Sequence, residues 1–430
     1  MLRITRKELA PGVQLTAVHT QKFKTCLLGV TFLAALSQET AAENALIPAV
    51  LRRGTKNHPD MESLSAALDD LYGGSIEPMV RKKGETHCIG FVGSFLDDKY
   101  VPEESRILES AADLMAELLF APAGTPGEFH QEYLDGERVN LISRIRAQMN
   151  EKRQYSMTRL VEEMCAGEAY GVNKLGTADS AAKITAQNLW HRYEALLSGA
   201  PVEMYYCGSA PLERLEQALK PLVSRLSGTF RKEKPICNVT VKAPSEPRFF
   251  EDHMDVTQGK LALGFRLDSD FYETSDLPVL MMLNAVYGGT TTSKLFMNVR
   301  EKLSLCYFAS SLLDKHKGLM LVSSGIEFDK FEQAKTEILD QLNACRTGSI
   351  SGEELESARR FVISSLQAVL DSQGKLEDYW LGQSVSDQTV APEELARSVA
   401  KVNAAQMVQM AVRMRLDSIY FLNGKGALNR

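Results

Sequence analysis

The chain has 430 residues, of which 44% are hydrophobic and 24% charged, and its formal net charge at pH 7 is −6. This length exceeds what one domain usually holds, so we expect two or three globular domains with a sizeable core. No lysine or arginine block is present, which argues against nucleic acid as the main partner.

The N-terminal residues predict neither a secretory signal nor a membrane anchor. Met1–Glu8 carries charge, and no apolar segment follows it directly. The nearest apolar run, Cys26–Leu36, is shorter than the roughly 20 residues that span a bilayer, and we interpret it as a buried strand. The seven cysteines are scattered, without C-x-x-C spacing, which favours reduced thiols and a cytoplasmic protein.

Two halves of the chain, 1–230 and 248–430, have the same predicted order of elements, and residues 231–247, with three prolines, form a linker between them. Each half begins with two strands and a helix, followed by a Gly-Gly pair, further strands and long helices. The predicted strands include Val13–His19, Thr25–Ala34, Val202–Cys207, Phe249–Val256, Lys260–Arg266 and Ser418–Leu422. The predicted helices include Ala42–Arg53, one starting near Glu128, Leu212–Leu226, Leu277–Tyr287 and one capped by Ser351. Because strands and helices do not alternate strictly, the fold class is α+β.

One segment of the first half carries a specific motif in altered form. Residues 44–70 read NALIPAVLRRGTKNHPDMESLSAALDD and are followed by LYGGSIEP. This stretch resembles the M16 (insulinase-like) zinc peptidases, in which a His-x-x-Glu-His helix precedes a Gly-Thr pair, a second helix and a Gly-Gly strand. Counting back from Gly54 puts Ala45 and Ala49 at the two histidine positions and Pro48 at the glutamate position.

These substitutions remove the chemistry of the motif. In the family, two histidines one helical turn apart bind Zn²⁺, and the glutamate is the general base for the metal-bound water. Alanine has no donor atom, and proline cannot accept a proton. We therefore predict that the chain binds no metal at this position.

The family's third ligand is a glutamate seven residues after another family glutamate. Glu137 resembles the earlier glutamate, which places Arg144 at the ligand position, where a cation repels Zn²⁺. The seven histidines are single, without an i, i+4 partner, so we expect no replacement metal site.

The second half resembles the family more closely. Thr291–Ser311 reads TTSKLFMNVREKLSLCYFASS and is similar to the family's Ser-(Arg/Lys)-Leu-Phe helix followed by Arg-Glu-Lys-x-x-Leu-x-Tyr. Arg300 and Tyr307 match an Arg/Tyr pair that, in the family, holds the substrate backbone or the developing oxyanion. Both side chains donate hydrogen bonds, which suits that role. From the residues alone, an ordinary ion pair and a half-buried strand residue remain possible.

The resemblance implies two similar α/β-roll domains of the LuxS/metallopeptidase type, each an antiparallel-rich sheet packed by helices. It also implies a half-size, M16B-type subunit of a four-domain chamber. Zinc is then expected in a separate M16 homologue, and this chain supplies Arg300 and Tyr307 in trans. The substrate is an extended peptide, which family members bind at a sheet edge. The edge strand here is Ser75–Val80, in which Pro78 removes a backbone donor.

Three other functions remain open at this stage. The first is a homodimeric, catalytically inactive pseudo-peptidase that binds a peptide or protein. The second is a scaffold subunit of a larger complex, which the absence of a targeting signal disfavours. The third is an enzyme of unrelated chemistry, for which no nucleophile elbow, P-loop or dinucleotide motif is present.

Overall fold

The computed structural model describes residues 2–102, 105–227, 231–267 and 276–425. The chain forms two compact units, each composed of three separate segments. Unit 1 comprises Met1–Arg146, Val172–Cys237 and Ser372–Thr389. Unit 2 comprises Ala147–Gly171, Asn238–Asp371 and Val390–Arg430.

Unit 1 contains a six-stranded sheet in the order β1-β2-β8-β3-β5-β4. Adjacent strands are antiparallel except for the parallel pair β2 and β8. The strands are β1 (Arg3–Ala10), β2 (Val13–His19), β3 (Thr25–Ala35), β4 (Ser75–Lys83), β5 (Thr86–Leu96) and β8 (Val202–Gly208), besides a small hairpin of β6 (Gly124–Thr125) and β7 (Glu128–Phe129). The helices are α1 (Ala41–Leu51), α2 (Met61–Asp70), α3 (Ile107–Phe120), α4 (Gln131–Ala147), α6 (Ala178–Ala182), α7 (Ala186–Gly199), α8 (Leu212–Leu226) and α12 (Gln373–Val385).

Unit 2 contains a five-stranded sheet in the order β11-β12-β10-β13-β9, again with one parallel pair, β13 and β9. The strands are β9 (Arg248–Met254), β10 (Gly259–Leu267), β11 (Cys306–Asp314), β12 (Leu319–Ile326) and β13 (Met414–Gly424). The helices are α5 (Lys152–Met164), α9 (Asp276–Asn284), α10 (Phe331–Arg346), α11 (Gly352–Val369), α13 (Pro392–Ala400) and α14 (Ala404–Arg413), with π-helical segments at Ala285–Gly289 and Leu295–Lys302.

Five of the six strands in the unit 1 sheet have counterparts in the unit 2 sheet. The order β4-β5-β3-β8-β2 in unit 1 corresponds to β11-β12-β10-β13-β9 in unit 2, and each pair keeps its direction. The predicted fold of two similar domains, each an antiparallel-rich sheet packed by helices, is confirmed. Among the described strands of the two sheets, β1, at the edge of the first sheet, is the one without a counterpart.

The units differ from the predicted halves of the sequence because each takes one helix from the other half. Helix α5 lies in unit 2, where Leu160 and Met164 pack against Ala262 and Tyr420 of the sheet. Helix α12 lies in unit 1, where Leu381 and Val385 contact Leu33, Met79 and Cys88. Each sheet is therefore completed by a helix from the distant half of the sequence.

A cluster of ion pairs links the segment after α5, which contains Glu168, to the unit 2 sheet. Glu168 accepts hydrogen bonds from Arg266 and forms an ion pair with Lys317, whose Nζ lies 2.9 Å from Glu168 Oε2. Arg266 also donates from Nε to Asp417 at 2.6 Å, and Arg248 contacts the other oxygen of the Asp417 carboxylate at 2.5 Å. Since Arg266 is 2% and Asp417 1% exposed, each charge depends on its partner in place of water.

Some local predictions differ from the structure. Residues 231–247 are irregular and contain no helix or strand. The Gly-Gly pairs are not equivalent: Gly73 and Gly74 follow α2 and lead into β4, whereas Gly288 and Gly289 end a π-helical segment before the next helix. On α11 the buried stripe is Ala358, Val362 and Leu366, and the apolar Phe361 is 48% exposed because it lies beside that i, i+4 row.

Among the residues that the structure describes, no helix combines the length and the apolar character needed to cross a bilayer.

Candidate functional site

The altered motif lies on α1, directly after β3. Ala45 and Pro48 are buried and Ala49 is half-buried. The helix continues through Pro48, and the N–H of Arg52 donates to the Pro48 carbonyl oxygen at 3.1 Å. Because the three side chains have no ligating atom, this face of α1 offers nothing to a metal ion.

Helix α4 carries the predicted third position. Glu137 forms an ion pair with Arg53, which follows α1, at 3.4 Å. Arg144 lies seven residues further on, in the last turn of α4, and is exposed. Over the described part of the chain, no group of three His, Cys, Asp or Glu side chains is placed to hold a metal ion.

A buried polar network lies beside the start of the motif. Arg192 of α7 donates from Nε to Asn44 Oδ1 at 2.7 Å, and Asn44 Nδ2 lies 3.2 Å from Nδ1 of His87 on β5. Asn44 and His87 are 0% exposed. Since the amide NH₂ can only donate, Nδ1 of His87 is the acceptor and the ring is neutral.

Burial, with the nearby charges of Arg192, Lys174 and Lys82, lowers the pKa of His87 from 6.5 to about 3. The unfolded chain therefore takes up a proton more readily than the folded chain between about pH 6.5 and pH 3. We expect the free energy of unfolding to fall across this window as the pH drops, by up to about 1.4 kcal/mol per pH unit from this group, with no contribution above it.

Urea unfolding at several pH values measures this effect, and an NMR titration of the His87 ring measures its pKa directly, with a His87→Gln variant assigning the resonance. A ring that titrates near pH 6.5 in the folded protein would contradict the placement of His87.

The second candidate site lies in unit 2, where a π-helical segment meets the edge strand β11. Arg300 belongs to the segment Leu295–Lys302, and Tyr307 is the second residue of β11. Both line one open cavity of about 440 Å³, together with Glu301, Ser304, Leu305, Cys306, Glu327 and Lys330. The structure thus brings the two predicted residues together in one cavity.

Local geometry presents both side chains to solvent. The Arg300 guanidinium lies over the Phe296 ring, 4.6 Å from its centroid, and its Nη1 is 3.6 Å from Glu301 Oε1. Ser304 then adopts a left-handed φ of 49°, which turns the chain into β11. The Arg300 side chain is 40% and the Tyr307 residue 63% exposed, so both retain donors for a ligand.

Sequence reasoning missed other residues of this cavity. Cys306 precedes Tyr307 and is buried, which raises the pKa of its thiol. Glu327 and Lys330 come after β12 and belong to no motif, so only the fold could place them here. With Arg300 they give the cavity both signs of charge.

The predicted peptide-binding edge is also an edge in the structure. Strand β4 ends the unit 1 sheet and pairs with β5 on one side. Pro78 lies opposite Phe91 in this pair, and it leaves one residue of the strand without an N–H.

Comparisons with known proteins agree with this description. Residues 183–362, from α7 through most of α11, match the family described as Peptidase M16 inactive domain. The chain is 33% identical over 413 residues to the probable inactive metalloprotease YmfF of Bacillus subtilis (strain 168), with 96% of each protein covered. It is 20% identical over 363 residues to the uncharacterized zinc protease YmxG of the same organism, covering 81% of this chain and 84% of that protein. A solved structure of a conserved protein from Enterococcus faecalis V583 has a TM-score of 0.89 at 28% identity, covering 98% of this chain and 99% of that one.

Proposed function

Because the chain belongs to the M16 peptidase family, we propose that it is the zinc-free subunit of a two-chain peptidase. A zinc-bearing homologue supplies the metal and the general base. This chain forms part of the wall around an extended peptide and contributes Arg300 and Tyr307 in trans.

The observation that carries this proposal is the contrast between the two units. Unit 1 has Ala45, Pro48 and Ala49 at the motif positions and no metal-binding group among its described residues. Unit 2 presents Arg300 and Tyr307 in one open cavity. Both exposed side chains donate hydrogen bonds, which suits an oxygen that acquires negative charge. Bacillus subtilis has both a relative named as inactive and one named as a zinc protease, which supports a paired arrangement.

The test is a titration of this chain into a fixed amount of a zinc-bearing homologue encoded near it. Cleavage of a quenched fluorescent peptide should rise with added chain and reach a plateau at equimolar amounts, and native mass spectrometry should show a heterodimer. A rate that does not change at any ratio would contradict the proposal. Peptide binding by a homodimer without any effect on the homologue would favour the pseudo-peptidase instead.

A further inference from the structure

We propose that an open cavity in unit 1 binds a small carboxylate with a short aliphatic body, and that Arg192 holds the carboxylate group. The cavity has a volume of about 340 Å³ and is lined by the end of β3, the turn before α1, the helix α7 and the beginning of the segment 231–247. All of these elements belong to unit 1, and no lining residue is shared with the cavity of Arg300 and Tyr307.

The first argument is that Arg192 is held in place with part of its guanidinium unoccupied. Its Nε donates to Asn44 Oδ1 at 2.7 Å, and Asn44, which is 0% exposed, is itself fixed by its contact with His87. Within the described part of the chain, the two Nη groups of Arg192 make no hydrogen bond and no ion pair. Because Arg192 lines the cavity, these N–H groups are available to a ligand there. Two parallel N–H donors match the two oxygens of a carboxylate.

The second argument concerns the charge of the cavity. Arg192 and Lys232 are the two cations among its lining residues, and Glu233 is the acid. Lys232 is anchored by its backbone N–H, which donates to the Gly199 carbonyl oxygen at 2.9 Å. Partial burial lowers the pKa of Arg192, and Glu43, which acts on it electrostatically, forms no ion pair with it. Two cations against one acid leave an excess of one positive charge, which one carboxylate neutralises.

The third argument concerns the rest of the ligand. Most of the other lining side chains are small and apolar, among them Leu33, Ala34, Ala35, Ala195 and Ala200. The hydroxyls of Ser37 and Thr40 lie 3.0 Å apart and pair with each other. Ligand pockets usually measure about 300–1,000 Å³ and are mostly apolar, with a few polar groups that orient the ligand. This cavity is at the small end of that range, which suits an aliphatic body of a few carbon atoms.

The carboxylate belongs either to a free small acid or to the last residue of a peptide, because both present the same group. Inorganic phosphate suits the cavity less well. Its charge at neutral pH exceeds the single positive charge in excess, and it has no aliphatic part to contact the alanines. The site lies within one unit of this chain, so the proposal does not depend on a zinc-bearing partner.

Titration of the purified full chain with isovalerate, followed by NMR, tests the site. Isovaleramide has the same shape without the charge, and it should bind about 10-fold more weakly, the size of effect expected for one charged hydrogen bond. Arg192→Gln should weaken isovalerate binding by a similar factor. Lys220→Gln removes an exposed cation of α8 outside the cavity lining and should leave the affinity unchanged.

A second pair of variants leaves the contact between Arg192 and Asn44 intact, so it tests the site even if Arg192→Gln fails to fold. Ala195→Glu adds an acid to the lining from an exposed position of α7. This acid repels the ligand and competes for Arg192, so the affinity for isovalerate should fall by about 10-fold. Ser198→Glu adds the same charge to the same helix, outside the lining, and should have little effect.

The results of these titrations decide the proposal. Equal affinities for isovalerate and isovaleramide, no binding of isovalerate, or equal effects of Ala195→Glu and Ser198→Glu would overturn it. Tighter binding of inorganic phosphate than of isovalerate would also overturn it. The peptide acetyl-Gly-Gly-Leu with a free C-terminus distinguishes the two sources of the carboxylate. An affinity at least as high as that of isovalerate assigns the end of a peptide, and a lower affinity assigns a free small acid.

Discussion

Replacing Arg300 with alanine should lower kcat/KM of the proposed two-chain peptidase by roughly 10²- to 10³-fold, the usual effect of removing one donor to a developing oxyanion. The guanidinium is held over Phe296 and lines the same cavity as Tyr307, so it is oriented before a ligand arrives. The side chain is 40% exposed, and its loss should leave folding and assembly intact. Steady-state kinetics of the pair, with native mass spectrometry as the assembly check, measures the effect.

Two further variants test whether the loss of kcat/KM in Arg300→Ala is specific to this cavity. Tyr307→Phe removes only a hydroxyl and should reduce turnover in the same direction. Lys302→Ala removes a cation from the end of the same π-helical segment, outside the cavity lining, and should have little effect. If Arg300→Ala and Lys302→Ala behave alike, Arg300 has no special role in trans.

Asp417→Ala should lower the free energy of unfolding by about 3–5 kcal/mol, because it removes the buried carboxylate that pairs with the buried Arg266. The Asp417 carboxylate contacts Arg266 and Arg248 and accepts a hydrogen bond from the Ser418 hydroxyl at 2.7 Å. Glu168 remains next to Arg266, but it also forms an ion pair with Lys317. Urea unfolding at pH 7 gives the free energy.

Matched variants separate the charge effect from simple truncation. Asp329→Ala removes an exposed carboxylate of unit 2 and should change stability by less than about 0.5 kcal/mol. Asp417→Leu combined with Arg266→Met removes both partners of the ion pair and should destabilise less than Asp417→Ala alone. Equal losses for Asp417→Ala and Asp329→Ala would mean that the ion cluster does not hold α5 and its following segment in place.

Most strands and helices were predictable because their side chains follow the period of the element. Helix α8 was predicted with the bounds it has, Leu212–Leu226, and β3 to within one residue. Strand β1 was not predicted, because Arg3–Ala10 is mostly polar and has no buried residue. This composition suits an edge strand, which pairs with β2 on one side.

The exchange of α5 and α12 could not be predicted from periodicity. The apolar residues Leu160 and Met164 mark a buried face of α5, but nothing in their spacing identifies the sheet that this face covers. Their partners, Ala262 and Tyr420, lie beyond the linker in the sequence, so only the folded chain shows these contacts.

The candidate site also has residues that the sequence predicted and residues that it did not. The motif positions Ala45, Pro48 and Ala49 and the Arg300/Tyr307 pair were recognisable because they lie in continuous stretches of sequence. The network of Asn44, His87 and Arg192 joins three distant elements, and no local pattern brings these residues together.

We predict that this chain has no metal centre of its own. The most direct test is to purify the chain alone, determine its zinc content by atomic emission, and assay peptide cleavage with added zinc and with a chelator. We expect substoichiometric zinc and no metal-dependent cleavage until the zinc-bearing homologue is added. Stoichiometric zinc with chelator-sensitive cleavage by the chain alone would show that the chain has a metal centre of its own and would contradict this prediction.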